Sequence, residues 1–284
     1  MKKIISVLLI ALMLVPFAAM SSFAASDAYK ATWSFKASVL DAAAKENDDK
    51  ANFTKGGNTV YTSSNANIQV KPGQVVWVTI HLKTGSSYYA DVLSSNIYYS
   101  NSIFRSASNY NSVIWNGKGK YTGVCETGAN VYATMIDSYK AKGYPASWSD
   151  SKKKANEFYF VSSYRDLSVS TAPIANIDED VVSFPIYVKS DAKAGATGEI
   201  FISQDDLRTA KNKTGKFYLS YFENGDYSKT IQYSDKISHD TSKAKLTFTV
   251  VSDGSQPSQG GTSFFAKVID FFKMIIDFIV GLFK

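Results

Sequence analysis

Apolar and polar residues alternate along most of this chain with a period of two, the period of a strand with one face buried. In "ATWSFKASV", Trp33, Phe35, Ala37 and Val39 alternate with Thr32, Ser34, Lys36 and Ser38. In "NIQVKPGQVVWVTIHLKTG" a short strand ends at Pro72-Gly73, a turn-forming pair. The strand that follows places Val76, Val78, Ile80 and Leu82 on one face. Val75, Trp77, Thr79, His81 and Lys83 take the other. "DVLSSNIYYS" and "EFYFVSSY" predict two more strands, separated by loop-rich and irregular stretches. "VVSFPIYVKS" turns Val182, Phe184, Ile186 and Val188 inward, and Pro185 marks it as an edge strand or a bulge. "GEIFIS", "GKFYLSYF", "SKTIQYSD" and "AKLTFTVV" complete the set. "ENGD" between two of these reads as a two-residue hairpin turn. Residues 41–51 read as a polar surface excursion.

About nine to ten short strands with no long helix in the body predict an all-β fold: an antiparallel jelly-roll β-sandwich over residues 25–251. The two ends follow other patterns. Residues 1–24 start with Lys2 and Lys3, continue through a long apolar run and finish on small residues, the pattern of a secretory signal. The expected product is a secreted, extracellular protein. Residues 252–262, "SDGSQPSQGGT" with the following Ser263, are Gly/Ser/Gln/Pro-rich, the composition of a flexible linker.

Residues 263–284 predict a helix of a different kind. At about 100° per residue, Lys267, Asp270, Lys273, Asp277 and Lys284 fall within an arc of about 120°. The opposite arc, about 200° wide, carries Phe264, Phe265, Val268, Ile269, Phe271, Phe272, Ile275, Ile276, Phe278, Ile279, Val280, Leu282 and Phe283. A simple membrane span is unfavourable. The apolar side chains contribute roughly −6 kcal/mol, and three charges near the centre cost roughly +9 kcal/mol. An amphipathic helix lying on a membrane surface fits the strip pattern. A partner helix, self-association or docking onto the body would also bury the wide face.

Composition narrows the function classes. The body is neither disordered nor collagen-like, with 45% apolar residues, 17 glycines and six prolines. Without Lys2 and Lys3 the 31 basic residues become 29, against 25 acidic, a mature net charge of +4. The one basic run, Lys152-Lys153-Lys154, reads as a solvated face, so nucleic acid is not an expected partner. The single cysteine, Cys125, cannot form an internal disulfide and reads as a buried or bystander thiol. His81 reads as a surface or edge histidine. No nucleophile elbow, zinc-helix motif or phosphate-cradling loop is present. The acidic clusters, residues 178–180, 205–206 and 223–226, lack the ligand spacing of a calcium loop. A glycosidase would need a convergent carboxylate pair, to which nothing in the sequence points. The expectation is a non-catalytic chain with no cofactor and no metal.

Aromatics are the remaining candidates for contact chemistry. Tyrosines are numerous, 18 in all, and many stand in polar company. Trp115, Tyr144 and Trp148 lie in loop-like stretches, where a ring can stack on a sugar or anchor a protein partner. Strand faces are the ordinary destination of most such residues.

"QVKPGQVVWVTIHLKTG" resembles the opening of a cohesin domain: a strand, a Pro-Gly turn and a long alternating strand. "VVSFPIYVKSDAKAGATGEIFIS" is similar to the late cohesin strand pair, joined through Asp191-Ala192-x-x-Gly195. The resemblance spans roughly residues 67–251. The long irregular middle, residues 116–166, and an extra strand before Asp41 depart from the family pattern. The resemblance implies a jelly-roll sandwich used for extracellular binding, with a dockerin-like protein as the implied partner. A polysaccharide-binding module is the alternative, since related carbohydrate-binding sandwiches share this style.

Overall fold

The computed structural model describes residues 29–40, 53–54, 58–65, 67–86, 88–106, 113–116, 121–127, 143–165, 174–207, 211, 218–223, 230–231 and 238–252. The expected leader, the surface excursion at 41–51, nearly all of the linker and the C-terminal helix lie outside the described residues, as do positions 224–229 of the expected hairpin turn.

Two sheets enclose one core. The seven-stranded sheet runs β15 (Ser238–Lys243), β1 (Lys30–Val39), β4 (Val75–Thr84), β11 (Asp178–Val188), β6 (Phe104–Ser106). In it β2 (Thr59–Thr62) also pairs with β1, and β7 (Ile114–Trp115) with β11. The nine-stranded sheet has a path of β14 (Thr230–Ile231), β13 (Tyr218–Glu223), β5 (Tyr88–Ser100), β12 (Thr197–Phe201), β16 (Lys245–Val250) and β3 (Ile68–Val70). On its other edge β5 pairs with β9 (Asn156–Arg165) and β10 (Ile174–Ala175), and β9 pairs in turn with β8 (Tyr121–Thr127).

The inward positions are those the alternation marks. Trp33, Phe35, Val76, Val78, Ile80, Leu82, Phe184 and Ile186 come from one sheet, and Ile200, Leu246 and Phe248 from the other. All but Leu246, at 1%, are fully buried. Rings meet across the interior: Phe104 packs edge-on to Phe248 at 5.0 Å, and Tyr159 meets Phe184 at 5.1 Å. Burying side chains of this size contributes about 1.5–3 kcal/mol each, the main driving term of the fold. Cys125 is part of this core.

Two turns anticipated from sequence form as expected, and each needs a glycine. Gly73 (φ 80°) and Gly195 (φ 83°) occupy left-handed backbone, open to glycine without a Cβ clash. The Gly73 N–H reaches the Val188 carbonyl (3.1 Å) and the Gly195 N–H reaches Val250 (2.8 Å), tying each turn to a distant strand.

Four features differ from expectation. First, the ladders are not all antiparallel: β1 pairs with β15, and β16 with β3, in parallel. β15 itself, "SHDTSK", shows no apolar alternation. It lies on one side of β1, and the chain passes from it to the second sheet across Ala244 alone. Second, β11 is not an edge strand. β7 pairs with residues 182–183 and β6 with 186–188, so Pro185 falls in the gap between them. No ladder N–H is required there, and the Pro185 carbonyl accepts from the Tyr159 hydroxyl (3.0 Å). Third, β4 is buried on its second face too. Val75 and Trp77 form a satellite cluster with Leu40 and Tyr187, and Phe53 stacks on Trp77 at 4.4 Å. Fourth, β13 and β14 pair at Tyr221↔Ile231 and Phe222↔Thr230, a register other than the one an uninterrupted two-residue hairpin at "ENGD" implies, though the turn itself lies outside the described residues.

The β1–β15 pairing carries a half-buried histidine. Trp33 Nε1–H donates to His239 Nδ1 (3.2 Å), which requires that nitrogen to be unprotonated. Burial lowers the His239 pKa from 6.5 to about 4. The unfolded chain therefore binds a proton that the fold refuses between these two values, and stability falls as pH drops through that window. Thermal unfolding should show full stability above about pH 6.5 and a loss of at most about 3 kcal/mol on acidification to about pH 4. His239→Asn should flatten that slope. An unchanged slope in the variant would refute this role.

Candidate functional site

The outer face of the nine-stranded sheet divides into a covered half and an open half. Residues 94–99 of β5 are all at most 3% exposed, with successive side chains directed to opposite faces. Leu93, Ile97 and Tyr99 join the core, while Tyr98 joins a second, aromatic cluster with Trp148 and Phe158. The cover over that cluster is the segment 143–149 and the short helix α1 (Asp150–Ala155). Ser149 caps α1 by accepting from the Lys152 N–H (3.3 Å), and Asp150 opens it. Lys152, Lys153 and Lys154 lie in its last turn, where they complement the helix dipole. The basic run of the sequence is therefore a solvated helix face, as expected.

The cover is bonded down as well as packed. The Tyr98 hydroxyl donates to Asp206 Oδ2 (2.8 Å), and Asn96 Nδ2 donates to the Tyr98 oxygen (3.0 Å) and to the Gly143 carbonyl (2.7 Å). Burial first, and then the Asp206 charge, hold the Tyr98 phenol protonated far above its ordinary range. Trp148 Nε1–H donates to Asp205 Oδ2 (2.9 Å), and Lys152 Nζ lies 4.1 Å from the centre of the Trp148 ring. The Tyr144 hydroxyl donates to the Asn156 carbonyl (2.8 Å).

These contacts decide the fate of the aromatic candidates. Trp148 is 4% exposed, so its ring is cover material and not an open stacking platform. Tyr144 is partly buried beside it, with ring centres 6.0 Å apart. Trp115 lies on the other sheet, in β7, packed against the main core. The structure thus brings Tyr144 and Trp148 together and leaves Trp115 apart. The tail positions Phe264, Phe265, Val268, Ile269, Phe271, Phe272, Ile275, Ile276, Phe278, Ile279, Leu282 and Phe283 lie outside the described residues.

Where the cover stops, a groove of about 560 Å³ opens between α1, the turn after β5 and the β12–β16 pair. Its walls carry Ser102, Asn101 and Asn156 on one side, Thr197, Glu199 and Thr247 on the sheet, and Asn67 and Phe201 among the remaining lining residues. Gly198 admits the close approach: a Cβ there would stand 2.8 Å from Ile103 Cδ1. Both kinds of charge in the lining are already paired. Glu199 meets Lys245 at 2.7 Å, and Lys152 lies 3.6 Å from Asp205. Sequence reasoning passed over these positions because they are single hydroxyls on strand faces. Their only signal is the outward set of "TGEIF" and "KLTFTV".

The acidic run at 178–180 forms a different arrangement on the outer face of the first sheet. Asp178 meets Lys83 (2.6 Å) and His81 Nε2 (3.1 Å), and Asp180 meets Lys36 (2.7 Å) and His81 Nδ1 (2.8 Å). Hydrogen bonds from Lys83, then His81, hold the Asp178 carboxyl below its usual range. Glu179 accepts from the Tyr121 hydroxyl (3.1 Å). His81 belongs to a central strand, where it bridges two carboxylates, and is not an edge residue. Among the described residues, no group of three or more His, Cys, Asp or Glu side chains could hold a metal ion. No described helix is long and apolar enough to cross a membrane.

Trp148→Ala tests the cover. Removing a buried indole together with its hydrogen bond should cost about 3–5 kcal/mol in denaturant unfolding. A cost below about 1 kcal/mol, as for an exposed ring, would refute the assignment.

No family model matches the sequence, and no curated protein matches it. Among solved structures, the chain is similar to a type III cohesin module from the cellulosomal ScaE cell-surface anchoring scaffoldin of Ruminococcus flavefaciens. That match has 11% identity and a TM-score of 0.40, and covers 80% of this chain and 91% of that one. It is also similar to the sixth cohesin of Acetivibrio cellulolyticus scaffoldin B, crystallised with a Cel5 dockerin variant, at 12% identity and TM-score 0.32 over 66% and 94%. A cohesin module of a Clostridium perfringens family 33 glycoside hydrolase matches at 9% identity and TM-score 0.29 over 66% and 94%.

Proposed function

We propose that this chain is an exported, non-catalytic binding module, displayed at the outer face of the cell, and that the groove beside the aromatic cover receives its ligand. One observation carries the reading. In the groove, side-chain hydrogen-bonding groups converge without partners of their own. The Ser102, Thr197 and Thr247 hydroxyls line it, and none makes a hydrogen bond within the described residues. The acidic clusters elsewhere hold structural pairs: Asp178 and Asp180 with lysines and His81, and Asp206 with Tyr98.

The two ends of the chain supply the location. The leader pattern at 1–24 directs export, and the wide apolar face of 263–284, on its linker, holds the module at the envelope. The cohesin resemblance favours a dockerin-like protein among the partners of the module. The lining of the groove, whose charges are paired, favours a polysaccharide as the ligand of the groove itself.

Two measurements test the proposal. Deleting residues 263–284 should move a large part of the protein from the cell fraction into the medium, with the remainder held through the groove; unchanged cell association would sink the anchoring. In that tail-less background, Thr247→Arg, which fills the groove, should lower sedimentation with isolated cell envelopes at least about fivefold. Equal sedimentation of both forms would remove the groove as the binding surface.

A further inference from the structure

Resting on the groove reading above, we propose that the ligand taken there is a neutral oligosaccharide segment of an envelope or extracellular polysaccharide. Three features of the lining select that chemistry. The first is its size and polarity. A volume of about 560 Å³ lies within the ~300–1,000 Å³ usual for small-ligand sites. Its unengaged groups are neutral: the hydroxyls of Ser102, Thr197 and Thr247, the Asn67 amide N–H, and the Asn101 side-chain carbonyl. Asn67 accepts from Thr249 (2.8 Å) and Asn101 donates to Lys154 (2.6 Å), so each of these amides is anchored at one atom and presents the other. Donors and acceptors together in one lining match the hydroxyls of a sugar ring, in which every O–H both gives and takes a hydrogen bond.

The second feature is that both charged side chains of the lining are paired. Lys152 stands against Asp205 and the Trp148 ring, and Glu199 against Lys245. A charged ligand would have to compete with these pairs. A neutral one leaves them in place. The ring of Phe201, held from behind by Tyr98 (5.7 Å) and Trp148 (6.0 Å), adds a rigid apolar element to the lining for the C–H face of a sugar.

The third feature argues against a peptide strand. Both sheet strands of the groove are inner strands: β12 lies between β5 and β16, and β16 between β12 and β3. The β5 ladder reaches only Ile200 and Phe201, and the β3 ladder only residues 248–250, but the Glu199 N–H beside them is taken by the Ser100 hydroxyl (2.9 Å). The open backbone is too short for an added strand, so an extended peptide would make few of the main-chain bonds that give such complexes their affinity.

The full mature chain is titrated calorimetrically with cellohexaose, xylohexaose and mannohexaose, and with hexagalacturonate as the anionic arm. At least one neutral hexasaccharide should bind, with an affinity insensitive to salt between about 0.05 and 0.5 M. Thr197→Val with Thr247→Val, which removes two hydroxyls at constant shape, should weaken that binding at least about tenfold with an unchanged melting temperature. Ser102→Ala, on the opposite wall, should weaken it independently. Failure of all three neutral probes overturns the proposal. So does binding confined to hexagalacturonate, or an affinity that survives the hydroxyl deletions. If the neutral probes fail while Thr247→Arg still abolishes envelope sedimentation, the groove remains a binding surface and its ligand is a protein. If Thr247→Arg also has no effect, the groove reading itself falls.

Discussion

Residues 93–99 of β5 are buried on both faces of the strand, and much of this structure answers that constraint. Ile97 and Tyr99 enter the shared core, as the inner face of any sandwich sheet requires. Tyr98, between them, points the other way and is fully buried too. A phenol cannot be sealed from water without a partner for its O–H. Asp206, Asn96 and the Gly143 carbonyl supply that partner set, each from a different part of the chain. The segment 143–149 is therefore held by a polar clamp at one residue and by aromatic packing around it. Asn96 Oδ1, buried without a partner, is the one unsatisfied atom of the clamp.

The cover has a boundary, and the boundary is the site. Aromatic side chains on β9, β5 and the end of β12 need covering. The outward residues of β16 and the start of β12, among them Thr197, Glu199, Lys245 and Thr247, do not. A sheet face that is apolar on one side and hydrophilic on the other produces a step where the cover ends. The groove is that step. Its walls belong to paired strands, to the bonded helix α1 and to the turn after β5, where Asn101 is tied to Lys154, so a ligand meets groups already in place and little ordering cost remains to be met on binding.

Charge plays a quieter part. The exposed pairs around His81 and along β12–β16 contribute little stability individually, since solvent screens them. Their effect is on selectivity. By committing Glu199 and Lys152 to neighbours, they leave the groove neutral and polar at once. The Trp33–His239 contact differs in kind. It joins the first strand to a late parallel strand, and burial keeps the imidazole uncharged.

The strand order of events along the chain was legible from alternation, because a side chain's face depends only on its parity within a strand. Trp33 to Val39, Val76 to Leu82 and Val182 to Val188 all turned inward as the pattern demands, and Gly73 and Gly195 took the left-handed turns their neighbours announce. β15 was not legible, since "SHDTSK" carries no alternation and joins the sheet only because β1 leaves it an open side. The placement of Pro185 inside a sheet was equally hidden, because it depends on where β6 and β7 stop. The same limit governs the site. Sequence alone placed Tyr144 and Trp148 in a long irregular middle segment and marked them as rings available for contact. Tertiary structure decided that this segment folds over Tyr98, that its indole is buried by doing so, and that seven hydroxyl and amide residues between Asn67 and Thr247 line the groove at its margin. Parity assigns each residue to a face, but only the path of the chain between strands decides which part of a face is covered and which is left to meet a ligand.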